Sequence, residues 1–481
     1  MSDFNVLLVS TYELGHQPFG LASPARWLRD CELPTGEVAV QAVDLSVEML
    51  DESLVRQADL VAFYVPMHTA TRLAATVAQR VVTLNPAAHL CFYGLYAPMN
   101  EPYLRGIARG GTILGGEFEE GLITLVRRLA GDRDRLPLLA QPEPVVSLNR
   151  QRFLVPDRSN LPALDRYAHL IDADGRKRTV GYTEATRGCK HTCRHCPIVP
   201  VYGGAFRVVQ RDVVLADIDN LVTDGAEHIT FGDPDFFNGP AHALSIVRAL
   251  HDRYPELSYD VTIKVEHLVK HADRVPVLAE TGCVLVTCAV ESFDDRVLDI
   301  LDKRHTMADF VAALHALRST GIAMNPTFVA FTPYTTLDGY LEFLRVIRDQ
   351  DLIRAVAPVQ YAIRLLLPSG SLLLDLPETQ AAVDRFDEDA LCFRWSHPDP
   401  RMDELQLAIS AFVQQAQASS ASREEIFSGV QQLALRAAGR EAEFVPVEPV
   451  ASPVLVPQLD EPWYCCAEPT EDQLATIETK S

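Results

Sequence analysis

Short apolar runs alternate with amphipathic stretches twice along this chain, and that alternation is the tightest constraint on its fold. The first block opens with Asn5-Val6-Leu7-Leu8-Val9-Ser10, the turn TYELGHQPFG and the helix-like LASPARWLRD. It continues through VAVQAVDL, ADLVAFYVPM with TRLAATVAQRVVTL, AHLCFYGLY, and GTILGG with EEGLITLVRRLAG. Buried strands alternating with amphipathic helices over about 130 residues predict an α/β domain, a parallel doubly wound (Rossmann-like) sheet over 1–130. Ligands of such sheets sit at the carboxyl ends of the strands, so the loops after Ser10, Val65, Tyr93 and Leu114 form the expected binding rim. From Thr179 the pattern resumes as six β/α units, which predicts a partial barrel over 179–375, open enough to admit a large substrate from the side.

The loop after the first of these later strands reads Cys189-Lys190-His191-Thr192-Cys193-Arg194-His195-Cys196. Three cysteines within eight residues put three thiolates on one loop, and thiolates are the preferred ligands of iron–sulfur clusters. Three ligands leave one iron of a [4Fe–4S] cube open to chelate a substrate or cosubstrate. A zinc site or a redox Cys-x-x-Cys pair would leave one cysteine unexplained. With Arg187-Gly188 ahead and Pro197 behind, the motif resembles the signature of the radical SAM superfamily. The resemblance implies that the open iron chelates S-adenosylmethionine (SAM), which one electron cleaves to a 5′-deoxyadenosyl radical. An aromatic residue usually precedes the third cysteine in that family to pack the adenine; here it is His195.

Composition narrows the setting. A chain of 481 residues with 48% hydrophobic content holds ample core for about three domains. No run of 18 apolar residues and no basic-then-apolar leader at Met1 is present, so a soluble, unexported chain is expected. Ten cysteines, three of them in the metal loop, do not read as a disulfide framework, and a reducing cytoplasm fits. A net charge of −22 argues against a broad contact with nucleic-acid backbones.

The first domain resembles the cobalamin-binding domain that precedes the barrel in one large radical SAM subclass. The match lies in ADLVAFYVPMHTAT, the turn at Gly94, and Gly115-Gly116-Glu117-Phe118-Glu119, the counterpart of a Gly-Glu-x-Glu turn. It implies cobalamin contacts from Ser10, Met67, Gly94, Gly116 and Glu117, the glycines letting backbone approach a bulky ligand. The Asp-x-His-x-x-Gly signature that gives cobalt an imidazole is absent: Leu14 stands where aspartate would be, two residues before His16. His16 and His68 are the candidate cobalt ligands, with polar loop residues as the plainer reading, and a nucleotide-type or vestigial domain stays open. Residues 131–178 are Pro-rich and read as a packed linker, in which VPDRSNLPAL resembles the lead-in to the barrel of the same subclass.

Barrel chemistry sits at strand ends. Gly232-Asp233-Pro234-Asp235 occupies the position of the family's Gly-Gly-Glu turn, whose carbonyls hold the SAM amino group. Glu291-Ser292 ends the fourth strand, in AVESFDDRVLDILDKRHT, which resembles the subclass pattern running on to a lysine, here Lys303. Lys264 and Arg364 are further SAM-contact candidates, set against surface or rim charge pairs. Cys283 and Cys288, five residues apart on one strand, read as small core residues.

Beyond Leu376, PETQAAVDRF, MDELQLAISAFVQQAQ and REEIFSGVQQLALRAAG read as three amphipathic helices over 376–440. A Pro-rich tail over 441–481 delivers Trp463-Tyr464-Cys465-Cys466-Ala467-Glu468-Pro469, and a polyproline-like run of about 20 residues reaches on the order of 60 Å, back to the barrel mouth. Together with the two domains before it, this tail resembles the CUAEP/CCAEP-tail radical SAM proteins, some of which carry selenocysteine at the position of Cys466. Cys465 and Cys466 are thus candidates for a nucleophilic or redox pair, against an incidental tail pair.

The expectation is a cytoplasmic radical SAM enzyme with a [4Fe–4S] cluster, SAM and cobalamin. It takes a small-molecule or peptide substrate and electrons from a donor such as flavodoxin or ferredoxin, without nucleic acid or membrane partners. Methylation of an unactivated carbon is one reaction; radical rearrangement, oxidation or thiol-dependent coupling is another. A metal or metalloid sensor built on the vicinal tail thiols is a reading from a different class. A tRNA methylthiotransferase is disfavoured, because its amino-terminal domain needs three cluster cysteines and this one has only Cys31 and Cys91.

Overall fold

The computed structural model describes residues 3–34, 36–131, 142–447, 456–461 and 471–480. Five strands of the first block, β1 (Phe4–Ser10), β2 (Val38–Asp44), β3 (Leu60–Tyr64), β4 (His89–Tyr93) and β5 (Thr112–Gly116), pair in parallel in the order 2-1-3-4-5. All five residues of β3 are buried, as a strand covered on both faces requires. Helices α1 (Phe19–Arg29) and α5 (Glu119–Leu129) share one apolar core with Val6, Leu8 and Leu60. Helices α2 (Glu52–Gln57), α3 (His68–Leu84) and α4 (Glu101–Ile107) share the opposite core with Leu7, Val9 and Val61. The sheet is therefore doubly wound.

Part of the Pro-rich stretch extends this sheet, because β6 (Val146–Ser147) pairs in parallel with β5 at Gly115 and Gly116. The chain next forms β7 (His169–Ile171) and β8 (Lys177–Thr183), an antiparallel pair from which the barrel grows. A short antiparallel pair, β9 (Thr186–Gly188) with β10 (Phe206–Val208), brackets the cysteine loop. Parallel strands β11 (His228–Phe231), β12 (Ser258–Thr262), β13 (Cys283–Glu291) and β14 (Ala323–Phe328) follow β8 in order around the barrel. The sixth expected strand is reduced to one parallel bridge between Phe331 and Arg364. There Pro358 starts a 3-10 turn through Tyr361, which consumes the residues that would have lengthened the strand.

One expected helix is corrected. PETQAAVDRF forms a single turn, Pro377–Gln380, and the chain then pairs β15 (Val383–Asp387) with β16 (Cys392–Trp395). The β-branched and aromatic residues of the second half favour strand over helix. The other two helices, Pro400–Ala418 and Arg423–Ala437, bury Met402, Leu405, Ile409, Ile426 and Phe427 in the barrel core. The tail returns twice. β17 (Gln458–Leu459) adds to β7, with Glu461 accepting a hydrogen bond from Tyr12 Oη at 2.9 Å, and the helix Glu471–Lys480 buries Ile477 beside α3. Cys465 and Cys466 lie outside the described residues.

Candidate functional site

Gly188 ends β9 at φ +74°, and a Cβ there would meet Ala205 O at 2.7 Å and the Tyr202 ring at 2.4 Å, so only glycine lets the loop turn under its own return strand. Asn238 then holds the loop start: its Oδ1 accepts from Lys190 N at 3.2 Å, and its Nδ2 donates to Gly188 O at 3.3 Å. Arg194 holds the far end by donating to Ile300 O at 2.8 Å. Cys189 and Cys193 are buried and Cys196 is half-buried. Burial pushes the bare thiols up, Cys189 to about 11 and Cys196 to about 12. Ionising them needs cations, and two are at hand: Lys264 Nζ donates to Cys193 Sγ at 3.5 Å, and Lys303 also interacts with Cys193 and Cys196. Three soft donors flanked by two lysines fit an anionic iron–sulfur cluster.

Lys264 thus serves the cysteine loop, and it is not among the residues that line the neighbouring cavity. Lys303 Nζ lies 3.1 Å from Glu291 Oε1, and His195 Nε2 is 3.1 Å from the same oxygen. Burial by itself would raise the Glu291 carboxyl, but Lys303 and His195 outweigh it and hold it well below the usual carboxylate range. Glu291 also sits at φ +71°, a strained conformation for a side chain with a Cβ. Ser292 turns away, its Oγ accepting from Asp294 N at 3.0 Å.

A cavity of about 350 Å³ joins the rim of the first domain to the barrel mouth, within the size range of small-molecule sites. From the first domain it is lined by His16, Met67, Gly94, Gly116 and Phe118; from the barrel by Gly232, Asp233, Pro234 and Glu291; and from the cysteine loop by His195 and Cys196. His16 stacks on Tyr182 of β8 with ring centroids 4.7 Å apart, and burial lowers its imidazole to about 4, so it is neutral at physiological pH. His68 does not line the cavity; its ring meets Tyr96 edge-on.

Three expectations need correction. Ser10 is buried and off the cavity. Glu117 points into the protein instead: it accepts from Tyr202 Oη at 3.2 Å and faces Arg187 at 3.6 Å. Arg364 is spent elsewhere, with Asp403 at 2.7 Å and the Trp395 ring 3.5 Å from its guanidinium carbon, an ion pair and a cation–π contact that leave no charge for a ligand. Gly94 and Gly116 do line the cavity, and they also make room for the chain itself: a Cβ on Gly116 would lie 2.2 Å from Ser147 O and one on Gly94 3.0 Å from Val65 O. Asp233, although at the cavity wall, accepts from Ala185 N at 2.9 Å and Thr186 Oγ1 at 2.5 Å, and burial pushes it up to about 7.

Sequence reasoning missed Arg187 as the tie between domains, and Asn238 as the brace of the loop. Arg187 stood in the motif with Glu184 three residues before it, but its partners Glu117 and Glu119 come from a distant part of the chain.

A partial parallel barrel with three thiols in the loop after its first parallel strand defines a class, and residues 183–347 match the family model of the Radical SAM superfamily. The chain therefore carries a radical SAM domain. Among curated proteins it is 24% identical over 234 residues to the tRNA-2-methylthio-N(6)-dimethylallyladenosine synthase of Clavibacter michiganensis subsp. michiganensis, covering 45% of this chain and 42% of that protein. The Aliivibrio fischeri (strain MJ11) synthase is 22% identical over 240 residues, covering 48% and 50%. The chain thus spans about half the length of the curated relatives it matches. Among solved structures, the cobalamin-dependent S-adenosylmethionine radical enzyme OxsB with aqua-cobalamin and S-adenosylmethionine bound superposes with TM-score 0.62 at 13% identity, over 86% of this chain and 67% of that one. The radical S-adenosylmethionine methyltransferase TsrM from Kitasatospora setae, with cobalamin and a [4Fe-4S] cluster bound, gives 0.61 at 16%, over 91% and 100%. At these identities the likeness is one of fold, and it extends through both domains. Among the described residues no helix is long and apolar enough to cross a membrane.

Proposed function

We propose that the protein is a cobalamin-dependent radical SAM enzyme that methylates an unactivated carbon of a small molecule or peptide. The observation that carries this reading is the single cavity running from Met67 and Gly94 on one domain to Cys196 and Glu291 on the other. When bound, the cluster and SAM supply a carbon-centred radical oxidant, and cobalamin supplies a methyl donor. Cys189, Cys193 and Cys196 would hold the cluster, with Lys264 and Lys303 balancing its charge. Backbone around Gly232 and the Glu291 carboxylate would receive the polar end of SAM, and His195 would flank its adenine. Leu14, Pro66, Met67 and Phe118 give the opposite wall an apolar surface suited to a corrin face, and the neutral ring of His16, held by Tyr182, stands at its edge. Apolar walls on both sides exclude water from a radical intermediate. An external flavodoxin or ferredoxin would supply electrons.

The buried cysteines of the first domain argue against the activity named for the curated relatives. Cys31 and Cys91 lie in one apolar core with Leu28 and Val126, where burial pushes the Cys91 thiol far up.

The test is anaerobic reconstitution with iron, sulfide, SAM, a strong reductant and hydroxocobalamin. Retained cobalamin, with deoxyadenosine that vanishes when the three loop cysteines become Ala, is the expected result; S-adenosylhomocysteine appearing with methylated product marks the methyl-transfer reaction. A cluster that forms but never cleaves SAM overturns the enzyme reading.

A further inference from the structure

A second set of donor atoms lies beside the cysteine loop and outside the cavity lining. His191 comes from the loop itself, Asp235 from the turn after β11, and His267 from the helix Val265–Lys270. One ligand atom from each lies within 4.8 Å of the others. His191 Nε2 is 3.6 Å from Asp235 Oδ2 and 3.2 Å from His267 Nε2, while His267 Nδ1 approaches Asp235 Oδ2 to 2.6 Å. Exposure is 6% for His191, 0% for Asp235 and 1% for His267.

Two features set this cluster apart from an ordinary hydrogen-bonded network. Asp235 Oδ2 and His267 Nδ1 come close without hydrogen-bond geometry, so two buried polar atoms converge without satisfying each other, which buried groups seldom do. The neighbouring contacts are compatible with this, although His191 Nε2 and His267 Nε2 share a hydrogen bond at 3.2 Å that the ion would replace. Asp235 Oδ1 accepts from Phe237 N at 3.1 Å, leaving Oδ2. Glu266 Oε2 lies 3.4 Å from His191 Nδ1, where a carboxylate behind a metal-bound imidazole stands. Metal bonds of about 2.0–2.1 Å at tetrahedral angles separate ligand atoms by about 3.3 Å; His191 Nε2 stands 3.6 Å from Asp235 Oδ2, close to that value, and the 2.6 Å between Asp235 Oδ2 and His267 Nδ1 has to open by less than about 1 Å to admit the ion.

We propose that His191, Asp235 and His267 bind one divalent transition-metal ion of the class that takes imidazole and carboxylate ligands, such as zinc, cobalt or ferrous iron. Because His191 lies between Cys189 and Cys193, the ion staples the cysteine loop to the turn after β11 and to the helix Val265–Lys270. It is separate from the cluster, and it orders two of the three thiols before any cluster is built.

The site is tested without SAM or cobalamin, so its outcome is independent of the proposed reaction. The full chain with Cys189, Cys193 and Cys196 changed to Ala is loaded anaerobically with cobalt(II), desalted, and measured by metal analysis and visible absorption. The same chain is then compared after adding Asp235→Asn, which keeps the Phe237 contact, or His267→Gln. Each added change is expected to remove one cobalt per chain, together with the corresponding d–d bands and the cobalt-dependent rise in melting temperature. The difference is read, because Cys465 and Cys466 can also take cobalt. Equal cobalt content in all three proteins overturns the proposal. Should the triple variant fail to fold, zinc is counted in the unaltered chain and in His267→Gln, with the cluster quantified by electron paramagnetic resonance. Loss of one zinc at unchanged cluster content supports the site, and unchanged zinc overturns it.

Discussion

Arg187 Nη1 lies 2.7 Å from Glu119 Oε1, and both side chains are almost wholly buried. Glu119 opens α5 of the first domain, while Arg187 stands two residues before Cys189. The ion pair therefore fastens one domain to the root of the loop in the other. Glu184 adds a contact at 2.7 Å to Arg187 Nε, and Phe118 and Phe153 lie 5.1 Å from the guanidinium.

Removing that guanidinium strands three carboxylates. Arg187→Met is expected to cost about 3–5 kcal/mol, the usual penalty for orphaning a buried charge. Arg187→Lys should recover little, since an ammonium cannot fork between Glu119 and Glu184. Glu119→Gln, which leaves the Glu184 pair, should cost less than either. Denaturant melts of the three variants check the order.

Glu291 pits charge against backbone. Both Glu291→Ala and Glu291→Gly leave Lys303 without its carboxylate, but only glycine is relaxed at φ +71°. The glycine variant should therefore be the more stable of the two by about 1 kcal/mol. Equal melts, or a more stable alanine variant, would show that the left-handed conformation is not retained.

Burial pushes the Asp44 carboxyl from 3.8 up to about 6, with hydrogen bonds from Ser46 only partly opposing. The folded chain then holds a proton that the unfolded chain has lost, so stability falls as pH rises from about 4 to about 6, by about 3 kcal/mol in total. Above that window the loss is complete. Asp44→Asn should abolish this part of the dependence, read as the difference between wild-type and variant denaturation curves from about pH 3.5 to about pH 7, which brackets the two values.

A Cβ on Gly232 would lie 1.9 Å from Tyr182 Oη and 2.2 Å from the ring carbon that carries it. Gly232→Ala must displace the ring on which His16 stacks, at an expected cost of about 1–3 kcal/mol. Tyr182→Phe should not relieve the clash, whereas Tyr182→Leu in the same chain should. Thermal melts of the single and double variants distinguish the two.

Legibility followed range. The alternation that set both sheets is local, so the strands of the first domain and β8, β11, β12, β13 and β14 could be read directly. PETQAAVDRF misled because a few apolar residues fit either period, and pairing with Cys392–Trp395 settled the matter from outside the segment. Arg364 misled for a similar reason: a strand-end arginine reads as ligand-binding until Asp403 and Trp395, far along the chain, are brought beside it.

By itself the sequence determined the strands and helices of the first domain, the first five parallel strands of the barrel, the three-thiol loop and the glycine beneath it, since each depends on residues a few positions apart. Only the tertiary structure decided what the charged groups do. It turned Glu117 and Glu119 toward Arg187, set Lys264 against Cys193, and gathered His191, Asp235 and His267 from three elements. Electrostatic partners are chosen by distance in space and by burial, and neither quantity is written in the local order of residues.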